Sequence, residues 1–243
     1  MERHDANPRP ASRFHSHHGA NVTILDGGAV ARRESSFANA LTFSERPLLP
    51  GELFLLEIEQ NERGWSGFLR LGLTQLDPDE QKYISVMFPL PQYALPDLTN
   101  LGQSWVYAVT KSHNNMYDHD PENASEEGSD DPMETQPNQG RSSILGAGEY
   151  IYTSRGRVLR SHLLPSQASC PTQLPTDVGS RVGLMYVPRS PYLADMHFVL
   201  NGEDQGPCCR DIPYGSRPLF AVVDVYGSTK QVRLVQLYGV WQQ

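Results

Sequence analysis

The sequence predicts an all-β protein, an antiparallel sandwich or barrel. Many short segments are rich in β-forming residues, and several of them alternate apolar and polar side chains. The chain has 20 glycines and 19 prolines in 243 residues, which indicates frequent turns. Long runs with a period of 3.6 residues are missing, so long helices are not expected. Short strands separated by turns are typical of sandwiches and barrels.

Ten segments of the chain are predicted strands. The run 68–74 alternates strictly, which places Leu69, Leu71 and Leu73 on one buried face. Asp-Gly-Gly at 26–28 and Asn-Gly at 201–202 follow strand segments and favour hairpin turns. A short helical turn is expected at 97–101, after Pro96. The predicted strands span residues 21–25, 29–34, 40–44, 52–58, 68–74, 105–110, 181–187, 194–200, 219–225 and 232–237.

Residues 118–143 form an acidic insertion between two strands. The segment holds eight acids, one base and only one apolar side chain larger than alanine. It cannot bury enough surface to offset the entropy of ordering, so it is predicted to be disordered. The net charge of −8 lies mostly here, and the rest of the chain has 20 acids against 19 bases. Residues 1–12 are predicted to be a flexible terminus.

The composition excludes several classes of protein. Lysine occurs only three times and the arginines are scattered, so no basic cluster for nucleic acid is present. No run of 18 apolar residues predicts membrane insertion, and residues 1–10 do not resemble a signal peptide. Three cysteines, one of them Cys170 and two adjacent, fit a reducing compartment. A cytoplasmic protein is therefore expected.

Three sets of residues are candidates for chemical sites. A His-Ser-His-His run at 15–18 could converge on a metal, but it lacks the spacing of a zinc site. Adjacent Cys208 and Cys209 favour loop cysteines over a redox pair. Glu57 and Glu59 share one face of a strand and permit glycoside chemistry, although a solvated face is the commoner reason. With no hydrolase, phosphate-loop or dinucleotide motif, we expect no enzyme activity, no cofactor and no metal.

Seven motifs, in order along the chain, carry a family resemblance. They are FHSHHGANV at 14–22, ARRESSF at 31–37, LTFSERPL at 41–48, GWSGFLRLGLT at 64–74, LPDLTNLG at 95–102, NGEDQG at 201–206 and LFAVVDVYG at 219–227. On these motifs the chain resembles the neuralized homology repeat over residues 13–237. The resemblance implies a SPRY-like, concanavalin-like β-sandwich.

The resemblance also implies a non-catalytic, substrate-binding adaptor of the ubiquitin pathway. Similar adaptors carry a C-terminal SOCS box that recruits elongins B and C and a cullin. Residues 238–243 form a short tail with no SOCS box, so elongin and cullin recruitment is expected only if the natural chain continues. A scaffold without ligase recruitment and, more remotely, a carbohydrate-binding jelly roll stay open as alternatives.

Six residues are candidates for binding a protein or peptide partner. All lie near glycine-rich or proline-bounded turns, where the end loops of a sandwich build binding surfaces. Aromatic and arginine side chains are the usual anchors at such surfaces. Asp97 also has a second possible role, as a cap of the helical turn. The candidates are Arg32, Arg33, Trp65, Asp97, Asn100 and Tyr226.

Overall fold

The computed structural model describes residues 11–80, 90–112, 143–165 and 173–238. Thirteen strands pair entirely antiparallel within these ranges. The predicted all-β sandwich is therefore confirmed. The strands are β1 (Val22–Leu25), β2 (Val30–Arg33), β3 (Leu41–Phe43), β4 (Phe54–Asn61), β5 (Arg70–Thr74), β6 (Ser104–Ala108), β7 (Tyr150–Thr153), β8 (Gly156–Leu159), β9 (Arg181–Pro188), β10 (Leu193–Leu200), β11 (Glu203–Pro213), β12 (Phe220–Asp224) and β13 (Thr229–Leu234).

Two sheets form the sandwich, and a hairpin lies outside it. The larger sheet has the order β1-β2-β13-β4-β9-β10-β11, and the smaller has the order β3-β12-β5-β6. Strands β7 and β8 form a separate two-stranded sheet. Short helical turns at Asp26–Gly28, Ala94–Leu98 and Arg160–Leu163 connect these elements.

The alternation of side chains along single strands sorts the apolar residues into layers. In β4, Phe54, Leu56 and Ile58 pack into the core between the sheets. Leu55 points to the other face, where the β7–β8 hairpin covers it with Ile151. Because both faces of the larger sheet are partly covered, residues 53–56 form a continuous apolar run rather than a clean alternation.

The outer face of the smaller sheet is also covered. Val222 in β12 points away from the central core and packs with Leu41 and Phe43 of β3. Ala94 and Leu98, from the turn Ala94–Leu98, close this third apolar cluster. The turn is thereby fixed against one end of the smaller sheet, close to where β12 leaves it.

Most sequence-predicted strands are present, with shifted ends. The hairpins at 26–28 and 201–202 are confirmed. The predicted strand 68–74 begins only at Arg70, but Leu69, Leu71 and Leu73 are fully buried as expected. Strands β7, β8 and β11 were not predicted.

Three predicted segments fall largely outside the described residues. Of the acidic insertion 118–143 only Ser143 is described, and of the terminus 1–12 only Ala11 and Ser12. Ser12 exchanges two hydrogen bonds with Gln236 at 2.9 and 2.8 Å. Of the tail 238–243 only Tyr238 is described, and its hydroxyl oxygen accepts a hydrogen bond from the amide of Leu53.

Candidate functional site

Four aromatic side chains meet at one end of the sandwich. They come from the loop that joins β2 to β3 (Phe37), the loop from β4 to β5 (Trp65), the segment before the turn Ala94–Leu98 (Tyr93), and the loop from β12 to β13 (Tyr226). We call these four residues the aromatic rim. The Phe37 ring centroid lies 5.0 Å from Trp65 and 4.7 Å from Tyr226, both edge to face. Such edge-to-face pairs are favoured by the ring quadrupoles.

Two glycines let the loops beneath the rim approach closely. Gly67 and Gly227 both have positive φ angles, of 82° and 60°. A Cβ atom at Gly227 would lie 2.3 Å from the carbonyl oxygen of Gly67, and a Cβ at Gly67 would lie 2.7 Å from the Tyr226 ring. Only glycine fits both requirements, so these residues fix the Trp65 loop against the Tyr226 loop.

Arg33 ties the loops together from inside. Its side chain has no exposed surface, although a buried guanidinium is costly unless its donors are used. The guanidinium donates to the carbonyls of Ser35 and Gly227 at 2.9 and 2.8 Å, and also to Thr229. Burial lowers the pKa of Arg33, while nearby Glu62 favours the charged form. Arg33 therefore supports the rim from below.

Glu62 links three side chains at the edge of the rim. Its carboxylate accepts hydrogen bonds from Trp65 Nε1 at 3.0 Å, Arg33 at 3.2 Å and Lys230 at 3.3 Å. Partial desolvation raises the pKa of Glu62, but these donors outweigh it and hold the pKa below its usual value. Glu62 thus orients the Trp65 indole, which remains 39% exposed.

Arg70 and Asp224 hold the opposite side of the rim. The two residues face each other across the β5–β12 pair, with Arg70 Nη1 3.5 Å from Asp224 Oδ2. The Arg70 guanidinium carbon lies 3.5 Å from the centroid of the Tyr226 ring, a cation–π contact. Arg70 also donates to the carbonyl of Leu95 at 3.0 Å. One arginine therefore joins Tyr226 to the turn Ala94–Leu98.

Asp224 is fully buried, and its two carboxylate oxygens differ. Oδ2 accepts a hydrogen bond from the amide of Ala94 at 3.0 Å. Oδ1 has no hydrogen-bond partner among the described residues. Burial raises the pKa of Asp224 to about 6, although Ala94, Arg70 and Arg33 favour the ionised form.

The six sequence-predicted candidates do not all converge. Arg33, Trp65 and Tyr226 lie together at the rim, and Asp97 borders it, since its carboxylate accepts from the amide of Tyr93 at 3.2 Å. Asp97 is not the N-cap expected from the sequence: it lies within the turn Ala94–Leu98, whose N-cap residue is Tyr93 and has no side-chain cap hydrogen bond.

Arg32 and Asn100 lie away from the rim. Arg32 is exposed, and it points to the other face of β2 because neighbouring strand residues alternate. Asn100 is exposed on the segment leading to Ser104, which pairs with Thr74 at the far end of β5 from Arg70.

Sequence reasoning missed two rim residues, Phe37 and Tyr93, and two acids that support the rim, Glu62 and Asp224. Phe37 lies four residues after Arg33 and Glu62 lies three residues before Trp65, but neither is marked by a turn signal of its own. Tyr93 is 133 positions before Tyr226, and no local pattern pairs them. Asp224 is the one polar residue in the apolar run 219–225. An acid within such a run was the sequence signal that could have marked it as a buried functional residue.

The histidines and cysteines that were candidates for metal or redox chemistry have ordinary contacts. His15 pairs with Asp79 at 3.3 Å, and the described residues contain no group of three or more potential metal ligands. Burial raises the pKa of both Cys208 and Cys209, which keeps these free cysteines as thiols at neutral pH.

The paired acids Glu57 and Glu59 lie on the open face of the larger sheet. Glu57 accepts hydrogen bonds from Arg181, and Glu59 accepts from Gln231 at 2.7 Å and from Arg233. Each carboxylate is thus paired with an arginine on a neighbouring strand.

Within the described ranges, no helix has the length and apolar character needed to cross a membrane.

The family model described as Neuralized matches residues 14–236, which include every loop of the rim. The chain belongs to the Neuralized family. It is 42% identical over 244 residues to human Neuralized-like protein 2, covering 95% of this chain and 80% of that protein. Mouse E3 ubiquitin-protein ligase NEURL3 is 39% identical over 99 residues, covering 40% of this chain and 37% of that protein.

A solved structure of the same family shares the fold. The NHR1 domain of Drosophila melanogaster neuralized superposes with a TM-score of 0.60 at 22% identity, covering 94% of this chain and 99% of that one. This likeness supports the Neuralized β-sandwich that the sequence motifs implied. The predicted family and fold are both confirmed.

Proposed function

We propose that this chain is a protein-binding module of the ubiquitin pathway, and that the aromatic rim holds its partner. The observation that carries the site is the convergence of four aromatic rings from four separate segments on one end of the sandwich. Aromatic side chains fixed by buried arginines lose little entropy on binding, as hot-spot residues do. The ubiquitin connection is supported by the E3 ligase name of the mouse relative.

The partner is a protein or peptide segment that contacts the exposed part of Trp65. Residues 63–67 are all exposed, so a peptide can reach both the indole and the surrounding backbone groups. Asp97 borders the site and belongs to the proposed surface. Arg33 acts beneath it, and Arg32 and Asn100 are the members of the predicted set that we expect to contribute least, because they lie elsewhere.

The module acts as a non-catalytic substrate receptor in this proposal. A cullin ligase recruited through elongins B and C would then modify the bound partner. A cytoplasmic location is part of the same proposal, supported by the free thiols of Cys208 and Cys209.

Capture of partner proteins by purified chain tests the rim. Trp65→Ala and Tyr226→Ala should each reduce capture of the same partner at least tenfold, since a hot-spot truncation costs about 2 kcal/mol or more. Tyr152→Ala is the matched control, because Tyr152 is 79% exposed but lies on the β7–β8 hairpin. Unchanged capture by both rim variants, or an equal loss in Tyr152→Ala, would remove the rim from the proposal.

Co-precipitation separates ligase recruitment from partner binding. The full natural protein should bring down elongin C and a cullin together with the partner. Retention of the partner without elongin C and cullin would instead identify a scaffold that binds proteins but recruits no ligase.

A further inference from the structure

Asp224 is the fully buried acid among the described side chains that support the rim, whereas the Glu62 side chain is partly exposed. The carboxylate contacts two rim elements through one oxygen, Oδ2, which lies 3.0 Å from the Ala94 amide and 3.5 Å from Arg70. The other oxygen is buried without a hydrogen-bond partner among the described residues. An ionised oxygen in that setting is costly, so the site favours a proton more than an exposed aspartate does.

The charged groups around Asp224 come from three directions. Arg70 faces it from β5, and Arg33 lies close enough from β2 to favour its ionised form. On β3 the opposite residue is the apolar Leu41, which contributes no charge. The turn Ala94–Leu98 contributes an amide, and the Asp97 carboxylate on that turn is engaged by Tyr93. The two cations Arg70 and Arg33 therefore favour the ionised form of Asp224, whereas burial favours the protonated form.

We propose that Asp224 is a proton-sensitive latch of the aromatic rim: the carboxylate holds Arg70 over Tyr226, and the protonated acid releases it. Protonation forms an O–H bond on the carboxyl group and removes the negative charge that faces the Arg70 guanidinium. Arg70 is then a largely buried cation without its counter-ion, and its side chain is 14% exposed, which places water within reach. Movement of Arg70 toward water frees the Tyr226 ring and the Leu95 carbonyl.

The raised pKa of Asp224, about 6, places this change between pH 7 and pH 5. The consequence for binding, weaker partner capture at pH 5 than at pH 7, rests on the proposed function. The latch itself does not, because it can be observed without any partner. A failed capture experiment and a failed latch experiment therefore have separate meanings.

The test is a pH titration of the full chain with 3-fluorotyrosine at position 226, followed by fluorine NMR. The ring signal should move in one transition with a midpoint near the pKa of Asp224, while circular dichroism stays constant. Asp224→Asn should abolish the transition. Asp97→Asn is the matched control, because Asp97 is a neighbouring carboxylate on the turn Ala94–Leu98, and this substitution should leave the midpoint unchanged.

Carbon NMR of the Asp224 carboxyl group in the unsubstituted chain keeps the test valid if Asp224→Asn does not fold. Its carbon shift should follow the same midpoint as the ring. A carboxyl group that stays ionised at pH 5 would overturn the latch. So would a ring signal that is constant between pH 7 and pH 5, or a transition that persists in Asp224→Asn.

Discussion

Arg33→Ala should be among the most destabilising single substitutions in this domain. Arg33 is completely buried, and its guanidinium satisfies the carbonyls of Gly227 and Thr229 and the carboxylate of Glu62. Alanine leaves these acceptors without their donors and opens a cavity the size of the lost side chain. Removing the buried cation also removes its desolvation cost, but this gain offsets only part of the stability lost through the unpaired acceptors and the cavity.

The magnitude follows from the number of groups left unpaired. Each buried acceptor without a donor costs about 1–3 kcal/mol, and breaking a buried charge network costs about 3–5 kcal/mol in total. Against a typical stability of about 5–15 kcal/mol, this is a large fraction. For a domain of this size it corresponds to a fall in melting temperature of roughly 6–20 °C.

Urea unfolding followed by circular dichroism measures this change, and Arg32→Ala is the control. Arg32 is the preceding residue in the same strand, but it is exposed on the opposite face, so alanine there should change stability by about 0.5 kcal/mol or less. Equal effects of the two substitutions, or a loss below about 1 kcal/mol for Arg33→Ala, would refute the role assigned to Arg33.

Four further changes test the packing and the buried acids. Gly227→Ala should cost about 2–4 kcal/mol in urea unfolding, from the positive φ and the clash with Gly67, and wild-type stability would contradict the close approach. Glu52→Gln should cost about 3 kcal/mol, because Glu52 is 2% exposed between two arginines; an unchanged unfolding midpoint would exclude this. Burial raises the pKa of Asp224 in the folded state above its value in the unfolded state, so the folded state binds this proton more tightly. The proton therefore adds about 2–3 kcal/mol to the free energy of unfolding below pH 4, and this contribution is lost as the pH rises through 6. The difference in unfolding free energy between wild type and Asp224→Asn should show this slope. Burial works against ionisation of Asp204, but hydrogen bonds from its neighbours lower its pKa, so its contribution should be lost as pH falls below about 4 and be missing from Asp204→Asn.

Periodicity and turn signals predicted the sheets well because both are local. The alternation around Leu71 and the Asn-Gly pair at 201–202 contain their own structural information. Strand β11 was missed because Gly206, Pro207 and two cysteines give it the composition of a loop, although it pairs with β10 through several register shifts. Such bulges are typical of protected edge strands.

The candidate site was only partly predictable. Turn glycines next to Trp65 and Tyr226 marked two of the four rim residues, because turns can be read from the local sequence. Phe37 and Tyr93 join them only through the pairing of β3 with β12 and the docking of the Ala94–Leu98 turn. Those contacts depend on the closed fold, which no local pattern specifies.

The scarcity of lysine has a consequence under the proposed function. Ubiquitin is attached to lysine amines, and the chain has only Lys82, Lys111 and Lys230. The Lys230 amine donates to the carbonyl of Glu34 and to Glu62, and its side chain is only 14% exposed. Most ion pairs among the described residues are made by arginine rather than lysine. An arginine side chain has no amine to which ubiquitin could be attached. Under the proposed function, the module would present few lysine acceptors of its own while its partner is modified.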